Sequence, residues 1–275
     1  MQEINFSWST FDDTEIYAKE WKPEQPSFVI CLVHGLGEHI NRYDHFARYF
    51  NHKNGVVIGY DQRGHGRSGG SRGHIPSYQA SLDDVSKLLV QAETKYPNLP
   101  VILYGHSMGG ALVMNYTLER HPSIVGLVAS GPWIQLGFKA SAIKVGLAKI
   151  ADRLTPGLTQ PSGLDPSQIS SDPAEVKKYK EDSLIHDRIS VRAANSYMQA
   201  GQQLEDYTGA FPMPLLLMHG AEDRVTSCDA SQRFAERASG PVTFKAWPGM
   251  LHEIHNEPAR KTVFDYTWNW MKPLL

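Results

Sequence analysis

Cysteine is scarce in this chain: two among 275 residues, Cys31 and Cys228. That count does not build a disulfide framework, and two free thiols in a reducing compartment are expected. Charge of one sign is also lacking. Lys and Arg number 27 against 29 Asp and Glu, a net charge of -2, and no run of cations exceeds two. Attraction to nucleic acid or to an anionic membrane by charge is therefore not expected. No stretch approaches the ~20 apolar residues of a membrane-spanning helix. The opening MQEINFSWSTFDDTE has no basic segment followed by an apolar run, so no signal peptide and a cytoplasmic location are expected. Internal repeats are absent as well. What remains, 41% hydrophobic and 20% charged, is an ordinary globular composition for one large domain, or one domain with an insertion.

Residues 4–8 and 15–21 read as two strands around the polar turn Thr10 to Thr14. Short apolar runs rich in Val, Ile and Leu follow at 28–34, 56–61, 101–106, 125–131 and 214–220, with a further strand at 241–247. Runs of this kind suit strands buried on both faces of a parallel sheet. Helical periodicity lies between them. SLDDVSKLLVQAETKY (81–96) is followed by Pro97, and GGALVMNYTLERH (109–121) is stopped by Pro122. Alternating strand and helix predicts an α/β fold with a mostly parallel sheet.

From 132 to 211 the alternation breaks. No strand pattern appears there, only helical segments and joints such as TPGLTQPSGLDP (155–166). About 80 residues is too long for one crossover, so a helical insertion over the sheet is expected. The segment Leu136 to Leu154 reads as a helix apolar on more than one side, which must cover a surface, line an apolar pocket or expose a patch. The predicted organisation is a core of 1–131 and 212–275 with a helical cap of 132–211.

Gly105-His106-Ser107-Met108-Gly109 joins the strand at 101–106 to the helix at 109–121. G-x-S-x-G between strand and helix is the nucleophile elbow: the serine sits on a strained turn with glycines relieving clashes around it. A helix N-cap serine would not need Gly105, Gly109 and Gly110 together. The serine then needs a base, and the base needs an orienting acid, in the chain order Ser, acid, His. HGAEDRVT (219–226) after a late strand offers Glu222 and Asp223 as the acid. WPGMLHEIHNE (247–257) after the last strand offers His252 as the base, with His255 as structural. A zinc reading of His252 and His255 fails on spacing, since H-E-x-x-H needs four positions and these are three apart. The oxyanion hole is expected from the backbone amides of Met108, after the serine, and Leu36, in the loop His34-Gly35-Leu36-Gly37. No metal or cofactor is called for. An aspartate in the elbow, needed by dehalogenases and epoxide hydrolases, is absent.

With these blocks in order, the sequence resembles a known family. HGLGEHINRYDHFA (34–47), YDQRGHGRSGGSRGH (60–74), YGHSMGG (104–110), HGAEDRVT (219–226) and PGMLHEIHNE (248–257) are similar to the blocks of the monoacylglycerol lipase and lysophospholipase family of α/β hydrolases. The resemblance implies the α/β-hydrolase fold, Ser107 as nucleophile, Asp223 as acid, His252 as base, and Leu36 and Met108 as oxyanion donors. It also implies an acyl-chain tunnel under a helical cap, and a lipid ester as substrate. Transient membrane contact, through an apolar patch of the cap, is the accompanying expectation. The match is strong in the core and weak in the cap, where substrate choice lies. A monoacylglycerol is the first expectation, a lysophospholipid or a broad range of carboxylic esters the second, and a binding protein with little turnover the third. Asp61, Arg63, His65 and Arg67, and Glu38, His39 and Arg42, are expected to hold loops, with Glu38 placed to orient the polar end of an ester. His106 is expected at the pocket mouth, and Cys228 as a bystander near the acid loop.

Overall fold

The computed structural model describes residues 1–138 and 152–275. Its central sheet is built of β1 (Gln2–Ser9), β2 (Glu15–Lys22), β3 (Phe28–Val33), β4 (Gly55–Tyr60), β5 (Val101–His106), β6 (Gly126–Ser130), β9 (Leu215–Gly220) and β10 (Val242–Trp247). Their order is β1-β2-β4-β3-β5-β6-β9-β10. β1 and β2 pair antiparallel, β2 meets β4 antiparallel, and every pair from β4 onward is parallel. The expected α/β-hydrolase architecture is therefore present.

Alternation along the strands feeds two cores. In β3, Val29, Cys31 and Val33 face one side and Phe28, Ile30 and Leu32 the other. The first side is covered by α2 (Tyr78–Lys95), α3 (Met108–Arg120), α5 (Val191–Glu205) and α6 (Cys228–Arg237). The second is covered by α1 (Asp44–Asn51) and α7 (Arg260–Met271), whose Phe46, Phe50, Phe264 and Met271 join Phe28, Ile30 and Leu32 in one core cluster. Burial of both faces is why the strands read as unbroken apolar runs. Local signals set the helix ends. The Ser77 hydroxyl accepts the Ala80 amide to cap α2, and α3 ends at His121 in the left-handed conformation just before Pro122.

Between β6 and β9 the structure departs from the helix-only expectation. β7 (Thr159–Pro161) and β8 (Arg188–Ser190) form an antiparallel pair, with α4 (Pro173–Glu181) between them in the chain. Three-residue strands are too short to show alternation, and the tertiary contacts that hold them are invisible in sequence. The Ser190 amide bonds Gly73 O at 2.8 Å, and the Arg188 guanidinium bonds Thr159 O at 2.8 Å. The expected helix Leu136–Leu154 is also corrected at its start. Leu136 bridges Thr226 instead, because the Gly137 amide bonds Val225 O and the Ser227 amide bonds Gln135 O, both at 2.9 Å. Asp152 to Leu154 are helical, and the apolar face expected between lies outside the described residues. α5, inside the expected cap segment, packs on α2 and α3 through Tyr197 and Leu204.

The chain runs from β3 outward to β4 and then returns across β3 to β5. At such a reversal the loops leaving the carboxyl ends of neighbouring strands diverge and open a crevice. Residues 34–37, Ser107, Asp223 and His252 all lie on loops that leave the carboxyl ends of β3, β5, β9 and β10.

Candidate active site

Ser107 occupies the turn between β5 and α3 with φ of +54°, a conformation that L side chains rarely adopt. Its amide bonds Ser130 O at 2.9 Å, and its carbonyl accepts the amides of Ala111 and Trp133. The turn can be this tight because its neighbours lack side chains. A Cβ on Gly105 would lie 2.5 Å from Gly109 O, and one on Gly109 would overlap the carbonyls of Val33 and His34.

The structure brings the three expected residues together. The Ser107 hydroxyl lies 2.9 Å from His252 Nε2, and His252 Nδ1–H donates to Asp223 Oδ2 at 2.7 Å. The Asp223 Oδ1 atom accepts the amides of Val225 at 2.7 Å and Thr226 at 3.0 Å. Glu222, the other candidate, is exposed. Burial by itself would raise the Asp223 pKa. The His252 charge and the bonds from His219 and His252 outweigh it and hold the carboxyl well below its usual range. Burial would likewise lower the His252 pKa, but the Asp223 charge and hydrogen bond raise it above the ordinary histidine value.

The loop after β3 lies against the serine: a Cβ on Gly35 would be 3.0 Å from Ser107 Cβ. Its shape is set by side chains behind it. The Gly35 amide donates to Glu38 Oε1 at 2.6 Å, and His34 Nδ1–H donates to Gly35 O at 2.7 Å while His34 Nε2 accepts the Gln62 amide. Glu38 also accepts from Tyr43 and pairs with Arg42, whose guanidinium makes two bonds of 2.6 Å to Glu253. Burial pushes the Glu38 carboxyl up. For Glu253 burial acts in the same sense, but the Arg42 charge and hydrogen bonds outweigh it and hold the carboxyl down. Arg42 therefore ties the loop beside Ser107 to the loop that carries His252. Glu38 serves that scaffold.

His255 is fully buried and stacks on Tyr43, with ring centroids 4.8 Å apart. His106 is not at a pocket mouth. The elbow turns it inward, where Nδ1–H donates to Ser130 O at 3.0 Å and the ring sits 4.8 Å from that of His252. Burial and the neighbouring His252 push its pKa down to about 3. Asp61 accepts the amides of Ile40 and Arg67, Arg63 pairs with Asp84, and His65 donates to Arg63 O, so these residues shape the loop 61–74. Arg67 reaches the Tyr17 hydroxyl at 3.1 Å, and His39 reaches across to Asp182 at 2.9 Å. Cys228 is half-buried at the start of α6, and burial pushes its thiol up to about 11. Two residues around the acid were not singled out in the sequence. His219 Nε2 lies 3.0 Å from Asp223 Oδ2, and the Thr226 hydroxyl lies 2.9 Å from the same oxygen. Their only sequence signal is the i, i+4 and i, i+3 spacing from Asp223, which a strand followed by a turn does not advertise.

With this geometry in hand, the comparisons with known proteins decide the family. The model described as "Serine aminopeptidase, S33" matches residues 24–259. The chain belongs to this family. It is a serine ester hydrolase of the α/β-hydrolase fold, and the resemblance to the monoacylglycerol lipase family is borne out. The chain is 35% identical over 254 residues to the monoacylglycerol lipase of Mycolicibacterium smegmatis, covering 91% of this chain and 90% of that protein. It is 38% identical over 269 residues to an uncharacterized abhydrolase domain-containing protein of Dictyostelium discoideum, covering 96% of this chain but only 28% of that protein's length. The crystal structure of Paleococcus ferrophilus monoacylglycerol lipase superposes with a TM-score of 0.87 at 32% identity, covering 94% of this chain and 99% of that one. No helix among the described residues is long and apolar enough to cross a membrane.

Proposed function

We propose that the protein hydrolyses monoacylglycerols, or closely related single-chain lipid esters, through an acyl-enzyme on Ser107. The observation that carries this reading is the unbroken series Ser107–His252–Asp223 beside the loop of Gly35 and Leu36. Ser107 Oγ attacks the ester carbonyl as its proton passes to His252 Nε2. Asp223, held anionic, orients the ring through Nδ1–H and stabilises the imidazolium. The backbone amides of Leu36 and Met108 receive the oxyanion, an interaction whose loss typically costs ~10²–10³ in rate. His252 then protonates the departing alcohol, and water attacks the acyl-enzyme by the same route.

The substrate class rests on the cap and on the relatives named monoacylglycerol lipases. Residues 132–211 are the cap in this reading, anchored on α2 and α3 by α5. Phe138, Leu154 and Leu158 are exposed apolar residues on it, suited to an acyl chain or to transient contact with a lipid surface. A cavity of about 220 Å³ opens at Leu36, with Leu164, Pro166 and Ile185 on one part of its wall and Lys180, Asp182 and Asp187 on another, a mixed setting suited to a glycerol ester. An aminopeptidase would need a free carboxylate near Ser107 for the substrate ammonium. Glu38 and Glu253 are instead both engaged by Arg42. The two free thiols agree with a cytoplasmic setting.

The test is hydrolysis of a matched panel at neutral pH with added chelator: a monoacylglycerol, a lysophosphatidylcholine, a diacylglycerol, a short nitrophenyl ester and an amino-acid arylamide. Ser107→Ala is the blank. Selective turnover of the monoacylglycerol is expected. Preference for the lysophospholipid or the short ester would keep the chemistry and change the substrate. Absence of all turnover, with covalent labelling of Ser107 by a serine probe, would favour a binding protein.

A further inference from the structure

Asp223 is served by more than the catalytic histidine. Its Oδ2 atom has three neighbours: His252 Nδ1 at 2.7 Å, Thr226 Oγ1 at 2.9 Å and His219 Nε2 at 3.0 Å. The Thr226 hydroxyl has one proton and two close oxygen acceptors, Asp223 Oδ2 and Gly131 O at 3.0 Å, with His219 Nε2 and His252 Nδ1 further off at 3.2 and 3.3 Å. When it turns to Gly131, the donors left on Oδ2 among the described residues are the two imidazole rings. His219 sits at the end of β9 with a fully buried side chain. Nε2 faces the carboxylate oxygen at 3.0 Å and Thr226 O at 3.3 Å, so an unprotonated Nε2 would set its lone pair against theirs even if the Thr226 hydroxyl, 3.2 Å away, turned from its oxygen acceptors to donate to it. The proton therefore belongs on Nε2. Nδ1 is then the acceptor, and Ser231 Oγ on α6 is 2.8 Å away to donate to it. Ser231 is itself fully buried.

We propose that His219 is a positioning residue for the triad acid: held as its Nε2–H tautomer by Ser231, it clamps Asp223 Oδ2 together with His252 and shares the carboxylate charge. The inference rests on the proposed roles of Asp223 and His252. Its consequence has a definite sign. Without the His219 N–H, more of the Oδ2 charge is available to His252, whose cation is favoured, so the base is neutral only at higher pH. Asp223 also loses a restraint on its orientation, and with it the aim of the ring at Ser107.

The other charged and titratable groups around this pair are in place to be held constant. His252 is faced by Asp223, by Glu253 and Glu38, by Arg42 through those carboxylates, and by His106 and His255. His219 is faced by Asp223, with Thr226 and Ser231 as its polar neighbours. A substitution at His219 leaves all the others unchanged.

The experiment compares kcat/KM against pH for the native protein, His219→Leu and His219→Gln on a hydrolysed ester, with melting temperatures recorded. For His219→Leu the acid limb should move up by about half a unit to one unit. Its kcat should fall roughly 10- to 100-fold with KM little changed. His219→Gln keeps a neutral N–H of similar reach and should restore both. An acid limb at the native position in His219→Leu, or a Gln variant as impaired as the Leu variant, would overturn the proposal. Should the variants not fold, ring-nitrogen NMR of the histidine-labelled native protein decides it: Nε2–H with an unprotonated Nδ1 on neutral His219 is expected, and the reverse tautomer overturns it. Ester turnover persisting in Ser107→Ala would sink the proposed function instead, while the tautomer of His219 would still be read independently.

Discussion

Glu253, the residue after His252, meets Arg42 in a two-pronged ion pair with both bonds at 2.6 Å. Arg42 is nearly buried and also holds Glu38, which fixes the Gly35 amide. Replacing Arg42 by Met would leave two buried carboxylates without their cation. A loss of about 3–5 kcal/mol is expected, the usual cost of breaking a buried pair from one side. Lys should not restore it, because an ammonium cannot supply the fork. Denaturant unfolding of the three proteins checks this, and a Lys variant of native stability would contradict the role given to the fork.

His252 and His255 are three residues apart and should respond very differently. His252→Ala should lower kcat by at least ~10², the scale of a lost general base. Among the described residues His255 has no hydrogen-bond partner on either ring nitrogen, and its ring stacks on Tyr43. His255→Phe removes two unpartnered polar atoms and keeps the stacking ring. It should retain kcat within a few-fold and unfold at or above the native temperature. A collapse of kcat in this variant would place His255 in the chemistry.

Gly109 lies where α3 meets the backbone of residues 33 and 34. Gly109→Ala would push the serine turn away from the loop of Gly35 and Leu36. We expect a destabilisation of about 1–3 kcal/mol, typical of overpacking. The fall in kcat should exceed what the loss of folded protein explains. Kinetics on the fraction that remains folded separates the two effects.

The pH dependence of activity follows from the pair Asp223 and His252. The His252 pKa is raised and the Asp223 pKa lowered, so only the histidine titrates near neutrality. The base must be neutral to act. A single-proton acid limb of kcat/KM with its midpoint above about 6.5 is expected. A midpoint near 4 would assign the limb to a carboxylate instead.

Stability should depend on pH through the buried neutral histidines. His65 and His106 have pKa values pushed down to about 3 by burial and neighbouring histidines. Below about pH 6.5 the unfolded chain binds protons that these folded rings refuse, so stability falls as pH drops. Each contributes roughly 1.4 kcal/mol per pH unit over that window. His252 acts in the opposite sense: its stabilisation is complete below about pH 6.5 and is lost as pH rises through its raised pKa. Melting temperatures should fall steeply from pH 6.5 to 5, and a flat profile there would contradict neutral burial of these rings.

Much of the molecule was legible in the sequence. Five apolar runs and two periodic helices gave the parallel core, because strands buried on both faces carry no polar alternation to obscure them. The elbow was legible because its geometry demands small residues at fixed places around Ser107. His252 was reached by chain order, and the family resemblance chose Asp223 over the exposed Glu222. The pair β7 and β8 was not legible, since three residues have no period and their partners lie far along the chain.

Sequence by itself therefore determined the strands of the central sheet, the serine turn and the order of the reacting groups, all of which follow from local backbone needs or from linear spacing. Only the tertiary structure decided that Arg42 joins the loop beside Ser107 to the His252 loop, that His106 turns inward, and that His219 reaches the same Asp223 oxygen as His252. Those contacts depend on which way buried side chains point once the ends of β3, β5, β9 and β10 are set side by side. A one-dimensional pattern holds no record of that direction.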